Sequence, residues 1–432
     1  MRAPLSRVQG HTLLALWVAL LGADRIDLLG GGGPVVLPPF LVLTPVVALV
    51  ALRARHRRGT VGQTLPPRAL LHGALLLGLI ALAAASLINS LDPVTTGQRT
   101  LLLAAQSLGA SAVVWAVHDD PGGRSGLARG ARLGLALALL ANLAQGAAFA
   151  GWLSSAVAAG DWRVIDLQAF NYAGVVPRFS GLALDPNRAA LLALVHLAMI
   201  DADRRPATRG WIVLGLVLLV LTLSRSGMLA AGVALLVRWG PAWTHGPRRT
   251  HERDDHGLPV RAVSDAPGML TRSPRLTLAL ATTTCVLVAG LLAAPAARAD
   301  IAERLAPAAE RLSAAEGSAR LHSELLRRGV DEATVDVPRT LLGVGYGTSY
   351  LLLRDVFGTR YGNFHSLYLS AWVEMGIGAL LILLVLLVVP LRWATHWRPM
   401  VAALLVFNLF YQAGTEPGFW AMLALAWQDG TA

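Results

Sequence analysis

The residues of this chain best suited to chemistry are one histidine and three arginines, each placed where a polar segment meets an apolar run. His365 lies in Tyr361-Gly-Asn-Phe-His-Ser-Leu-Tyr368, which closes a long polar stretch and opens a strongly apolar one. An imidazole at such a boundary can exchange a proton with a substrate while apolar helices shield it. Arg178 lies in Val176-Pro-Arg-Phe-Ser-Gly-Leu-Ala-Leu-Asp-Pro-Asn-Arg188, at the mouth of another apolar run. There Pro186 can open a helix with Asp185 as its N-cap, which puts Asn187 and Arg188 in the first turn. Arg225 occupies Leu221-Thr-Leu-Ser-Arg-Ser-Gly-Met228, a tight turn between two apolar runs. Guanidinium forks match phosphate oxygens bidentately, and a helix start adds free N–H groups. Such a set suits a diphosphate, with His365 as the base beside it. The plainer alternatives are an interfacial histidine without chemistry and arginines that bond loop carbonyls.

The elements that position these residues are apolar. Hydrophobic residues make up 55% of the 432, and only 15% are charged. That composition is an all-α integral membrane protein and excludes a set of soluble domains. About twelve runs approach membrane-spanning length, at 11–29, 34–52, 69–88, 100–117, 133–151, 187–201, 210–224, 226–239, 276–296, 366–390, 399–413 and 417–428. Asp24, Arg25 and Asp27 interrupt the first, which reads as a retained span and not a cleaved signal.

Charge orders the connections. The net charge of +11 is carried by arginine, and much of it follows even-numbered spans. Examples are Arg53, Arg55, Arg57 and Arg58, then Arg204, Arg205 and Arg209, then Arg392 and Arg398. This is the positive-inside pattern, so it argues for a membrane and against nucleic acid as the partner. It puts both termini in the cytoplasm and the mouths at Arg178, Arg225 and His365 on the outer face. Three regions follow: spans one to nine with a cytoplasmic linker at 240–275 (1–296), an outer loop domain (297–364) and the last three spans (365–432).

The outer loop is balanced, with nine Arg against nine Asp or Glu. Ile301, Leu305, Ala308 and Leu312 follow helical spacing and suggest an amphipathic helix on the membrane surface. Leu341-Leu-Gly-Val-Gly-Tyr-Gly-Thr348 reads as a flexible turn, with no strand–helix unit to make it a dinucleotide fingerprint.

Cys285 is the only cysteine, which excludes an internal disulfide and a C-x-x-C site. The adjacent acidic pairs Asp119-Asp120, Asp254-Asp255 and Asp331-Glu332 all lie apart in sequence from the Arg and His elements. No metal or other cofactor is therefore expected, and arginine takes the charge role that a divalent cation has elsewhere. Glu374 could orient His365 or a substrate hydroxyl, or bond a neighbouring helix.

In these residues the chain resembles the bacterial O-antigen ligase and O-antigen polymerase superfamily. The resemblance rests on Arg178-Phe-Ser-Gly181 leading to Asp185-Pro-Asn187, on Ser224-Arg-Ser-Gly227, on Gly343-Val-Gly345, and on His365-Ser-Leu-Tyr368 with Glu374-Met-Gly-Ile-Gly378. Where members often carry Asn after the histidine, this chain has Ser366. The resemblance implies a GT-C-type glycosyltransferase of the bacterial inner membrane. The donor would be a glycan on undecaprenyl diphosphate, and a ligase's acceptor would be a lipid A–core sugar hydroxyl at the periplasmic face. His365 would be the base. Arg178 and Arg225, with Arg188, would hold the diphosphate, supported by Asn187, Tyr368 and Glu374. The reaction would invert the anomeric centre without a metal. An O-antigen polymerase and a protein O-oligosaccharyltransferase share this donor chemistry. A membrane transporter is the alternative of another class, disfavoured because the ionisable residues gather at one mouth instead of the mid-bilayer.

Overall fold

The computed structural model describes residues 7–26, 28, 37–57, 66–117, 120–149, 171–173, 176–203, 208–244, 323–357 and 362–429. The expected span at 276–296, the amphipathic helix at 301–312 and most of the 240–275 linker lie outside these residues.

The described chain is mostly helical. Helices α2 (Pro39–Arg57), α3 (Pro67–Ala85), α4 (Pro93–Val117) and α5 (Pro121–Phe149) each open on proline, whose fixed φ and missing N–H suit the first helical position. Among the described residues, they supply the four segments long and apolar enough to cross a membrane. Four further helices accompany them: α1 (Arg7–Ala19), α6 (Pro186–Asp201), α7 (Thr208–Leu221) and α8 (Arg225–Thr244). A small hairpin, β1 (Asn171–Ala173) with β2 (Val176–Arg178), sets Asn171 opposite Arg178 just before the Asp185-Pro186 helix start. After residue 323 come α9 (Val337–Leu342), α10 (Ser349–Phe357), α11 (Leu367–Met375), α12 (Ile377–Val388), α13 (Arg398–Phe407) and α14 (Pro417–Gln428).

Burial sorts these helices. Every residue of α14 is buried, so this short helix is the centre of the bundle, against α3, α4, α6 and α13. By contrast, only 28% of the best apolar window of α3 is buried, against 56% for α4. Leu77 on α3 and Leu101 on α4 are 58% and 73% exposed. Large exposed leucines on long apolar helices mark a surface made for lipid.

Several polar pairs tie helix ends away from the candidate residues. His11 meets Asp120 at 3.3 Å, Arg132 meets Asp203 at 2.5 Å and Arg238 meets Asp201 at 2.6 Å. The chain's last described residue joins them, with the Asp429 carboxylate accepting from the His396 N–H at 2.8 Å. A second set, Arg188 with Asp24 and with Glu416, lies among the candidate residues. At 1.5 Å per residue, α13 and α14 rise only about 15–18 Å, whereas α4 and α5 rise about 38–44 Å.

Two expectations are corrected. The apolar run at 366–390 is not one helix: it breaks at Gly376, whose φ is +85°. A β-carbon there would sit 2.0 Å from the Leu341 carbonyl oxygen, so this backbone approach is open to glycine alone. The break leaves the last carbonyls of α11 without helical partners, and the glycine-rich segment supplies them. Val344 N–H donates to the Val373 carbonyl at 2.9 Å and Gly345 N–H to that of Glu374 at 3.0 Å. The segment Leu341–Thr348 is therefore a packed wedge and not a flexible turn. Gly376→Ala combines left-handed strain with overpacking and should destabilise the protein by about 2–5 kcal/mol. Thermal unfolding in detergent checks this, and an unchanged midpoint would contradict the wedge.

Candidate functional site

The site is built where the starts of α6 and α8 meet. Asp185 caps α6 as the sequence suggests, its carboxylate accepting from Asn187 N–H at 2.7 Å and Arg188 N–H at 3.2 Å. Ser224 begins α8 in the same manner, accepting from Gly227 N–H at 3.1 Å. Asn187 joins the two starts: its Oδ1 accepts from Ser224 Oγ at 2.8 Å and from Arg178 Nη2 at 2.9 Å. Gly227 allows this closeness, since a β-carbon there would lie 2.6 Å from Cβ of Ala190 on α6. The Ser-Arg-Ser-Gly turn is thus a capped helix start with its glycine facing a neighbouring helix.

The three arginines have different surroundings. Arg178 is half-buried and anchored, with Nε donating to the Thr222 carbonyl at 2.9 Å. Burial pushes its pKa below the ordinary value; Asp185 opposes the shift, and the positive charge of Arg225 adds to it. Arg178 and Arg225 are therefore neighbours in the electrostatic sense. Arg225 is the first residue of α8 and is exposed. A cation there opposes the helix dipole. Among the described residues none bonds its guanidinium, so an exposed positive charge stands at a helix start. Arg188 is instead enclosed by acids: its Nε meets Glu416 at 2.6 Å and its Nη1 pairs with Asp24. Its charge is already matched, which gives it a positioning place and not the open guanidinium expected for a phosphate ligand.

His365 sits half-buried just ahead of α11. Its φ is +53°, a left-handed conformation unusual for a residue with a β-carbon. Asn363 Oδ1 accepts its N–H at 2.8 Å, and Ser366 follows as the N-cap of α11. Among the described residues, Leu223 is the only other non-glycine with positive φ, two positions before Arg225. Both strained residues thus belong to the candidate site, where such strain tends to collect.

The histidine loop is tied to the arginines by a chain of contacts. Leu367 N–H donates to the carbonyls of Asn408 at 3.0 Å and Tyr411 at 3.2 Å, in the turn that ends α13. The Tyr411 hydroxyl donates to Glu416 Oε1 at 3.3 Å, the oxygen that Arg188 also holds. Arg188 then follows Asn187, which holds Arg178 and Ser224. Around the arginines, four guanidiniums (Arg25, Arg178, Arg188 and Arg225) face three carboxylates (Asp24, Asp185 and Glu416). Arg25 completes the layer, Nη2 donating to Ser180 Oγ and Nε to the Ala183 carbonyl, each at 2.8 Å.

Two supporting residues lie elsewhere. The Tyr368 hydroxyl donates to the Leu405 carbonyl at 2.9 Å, which fixes α11 against α13. Glu374 is 1% exposed and accepts from the Ser349 hydroxyl, so it takes the neighbour-bonding alternative and does not orient His365. Asp24, Tyr411, Ser224 and Glu416 were not singled out from the sequence. For Asp24 a signal existed, since it interrupts an apolar run. Among the described residues no group of three or more His, Cys, Asp or Glu is placed to hold a metal ion.

No protein-family model matches the chain, and no curated protein matches its sequence. The functional reading therefore rests on the residues, their placement and the motif resemblance.

Proposed function

We propose that the protein is a twelve-span, GT-C-type glycosyltransferase of the O-antigen ligase kind. In this reading it transfers a glycan from undecaprenyl diphosphate to a sugar hydroxyl of lipid A–core at the outer face of the bacterial inner membrane. The observation that carries the reading is the contact chain from Arg178 and Ser224 through Asn187, Arg188, Glu416 and Tyr411 to the His365 loop. It unites an anion grip with a proton acceptor at one end of the bundle.

The proposed step is a direct displacement. The His365 imidazole takes the proton of the acceptor hydroxyl. The acceptor oxygen bonds to the anomeric carbon as the bond from that carbon to the phosphate oxygen breaks, and the electron pair leaves on undecaprenyl diphosphate. Arg225 and Arg178 offset the charge that grows there. Arg188 keeps the grip and the base in register. Attack opposite the leaving group inverts the anomeric centre.

The test is a reconstituted reaction with lipid-linked glycan and lipid A–core. Glycan on lipid A–core supports the ligase; longer glycan on the lipid carrier supports the polymerase; glycan on protein supports the oligosaccharyltransferase. No transfer to any acceptor rejects the family of readings. Excess EDTA should leave the rate unchanged, because guanidiniums do the charge work in this mechanism. Loss of activity that magnesium restores would contradict it.

A further inference from the structure

Glu416 is 2% exposed and closes the N-terminus of α14, yet it makes no side-chain capping bond to that helix. Its carboxylate is turned to other partners: Arg188 at 2.6 Å and the Tyr411 hydroxyl at 3.3 Å. Those partners belong to opposite halves of the site. Arg188 stands next to Asn187, which bonds both Arg178 and the cap of α8. Tyr411 carries one of the carbonyls that receive the Leu367 N–H, two residues after His365. Arg188 has Asp24 as a second acid, and Asn408 fixes the turn after α13, its Oδ1 accepting from Ala413 N–H at 3.1 Å and its Nδ2 donating to the Leu404 carbonyl at 2.8 Å. Arg188 and the Tyr411 hydroxyl also bond each other, so Glu416 is the buried acid that completes a three-membered cluster between the two halves.

We propose that Glu416 is a positioning residue that couples the arginine grip to the histidine loop, so that His365 reaches its working orientation while the Glu416 carboxylate anchors the Arg188–Tyr411 contact. The inference rests on the transferase reading for its consequence in catalysis, but not for its geometric content. A base on a strained left-handed residue is sensitive to the turn that receives its loop, and a misplacement of about 1 Å lowers a rate by roughly 100-fold. Binding of the donor's diphosphate near Arg178 and Arg225 would be felt by the base through the same link.

The experiment compares full-length wild type with Glu416→Gln, Glu416→Asp and Tyr411→Phe by two readouts. The first is kcat and KM for glycan transfer. The second is the rate at which diethyl pyrocarbonate acylates His365, followed by peptide mass spectrometry, which requires no substrate. Glu416→Gln should lower kcat by roughly 10–100-fold with little change in the donor KM, and should change the His365 acylation rate at least about threefold. Glu416→Asp should recover part of both. Tyr411→Phe leaves the Arg188 ion pair intact, so it tests the link even where Glu416→Gln folds poorly, and it should move both readouts in the same direction. Wild-type acylation in Glu416→Gln and Tyr411→Phe overturns the inference. Absence of transfer by wild type overturns the transferase reading alone, and the acylation rates still decide the role of Glu416.

Discussion

His365→Ala is expected to lower glycan transfer by about 10²–10⁴-fold, the usual contribution of a positioned general base. The protein should still fold and accumulate. At φ +53° the histidine occupies a conformation that costs a residue with a β-carbon about 1–2 kcal/mol, a cost that alanine shares. The N–H bond to Asn363 and the Ser366 cap are made by groups other than the imidazole and survive its replacement. His365→Asn sharpens the point. Asparagine tolerates the left-handed region better than histidine, so this variant should unfold at or above the wild-type temperature while remaining inactive. Transfer measured on purified protein, next to thermal unfolding in detergent, separates the two effects. An active alanine variant would remove His365 from the chemistry. A variant that fails to fold would make it structural.

Arg225→Ala should have the next largest effect, a loss of about 10²–10³-fold in kcat, as for other groups that stabilise charge developing in a transition state. Because Arg225 is exposed and unbonded among the described residues, the loss should come with no change in thermal stability. Removing a cation from a helix start even favours the dipole slightly. Arg225→Lys keeps the charge but not the fork, so it should lose less than alanine does. Arg178→Ala provides the contrast. Arg178 bonds the Thr222 carbonyl and Asn187, so its removal should lower both stability and transfer. Equal losses of stability for both variants, or wild-type kcat in Arg225→Ala, would contradict this division of labour.

Some of this arrangement was legible in the sequence, and the rest depended on contacts between distant segments. The start of α6 followed from Asp185-Pro186, because cap and proline are local chemistry. Alternating apolar runs and basic connections give only an expectation that Arg178, Arg225 and His365 share one face. The break at Gly376 did not follow from the sequence, because the run around it is apolar throughout. One glycine cannot announce that the Leu341 carbonyl will press against it. The glycine-rich segment misled for the same reason: composition signals freedom, and packing against Glu374 and Ser90 removes it. Arg188 looked like a third phosphate ligand because its acids, Asp24 and Glu416, come from the far ends of the chain. Ion pairs of that range leave no periodic trace.

The most direct measurement of the central claim is photocrosslinking with an undecaprenyl diphosphate-linked glycan that carries a diazirine at its first sugar. The account predicts that the label falls together on the segments around Arg178, Arg225 and His365, and that unlabelled donor competes it away. Label confined to one of these segments, or spread over other helices without competition, would show that the arginines and the histidine do not share a substrate and would contradict the account.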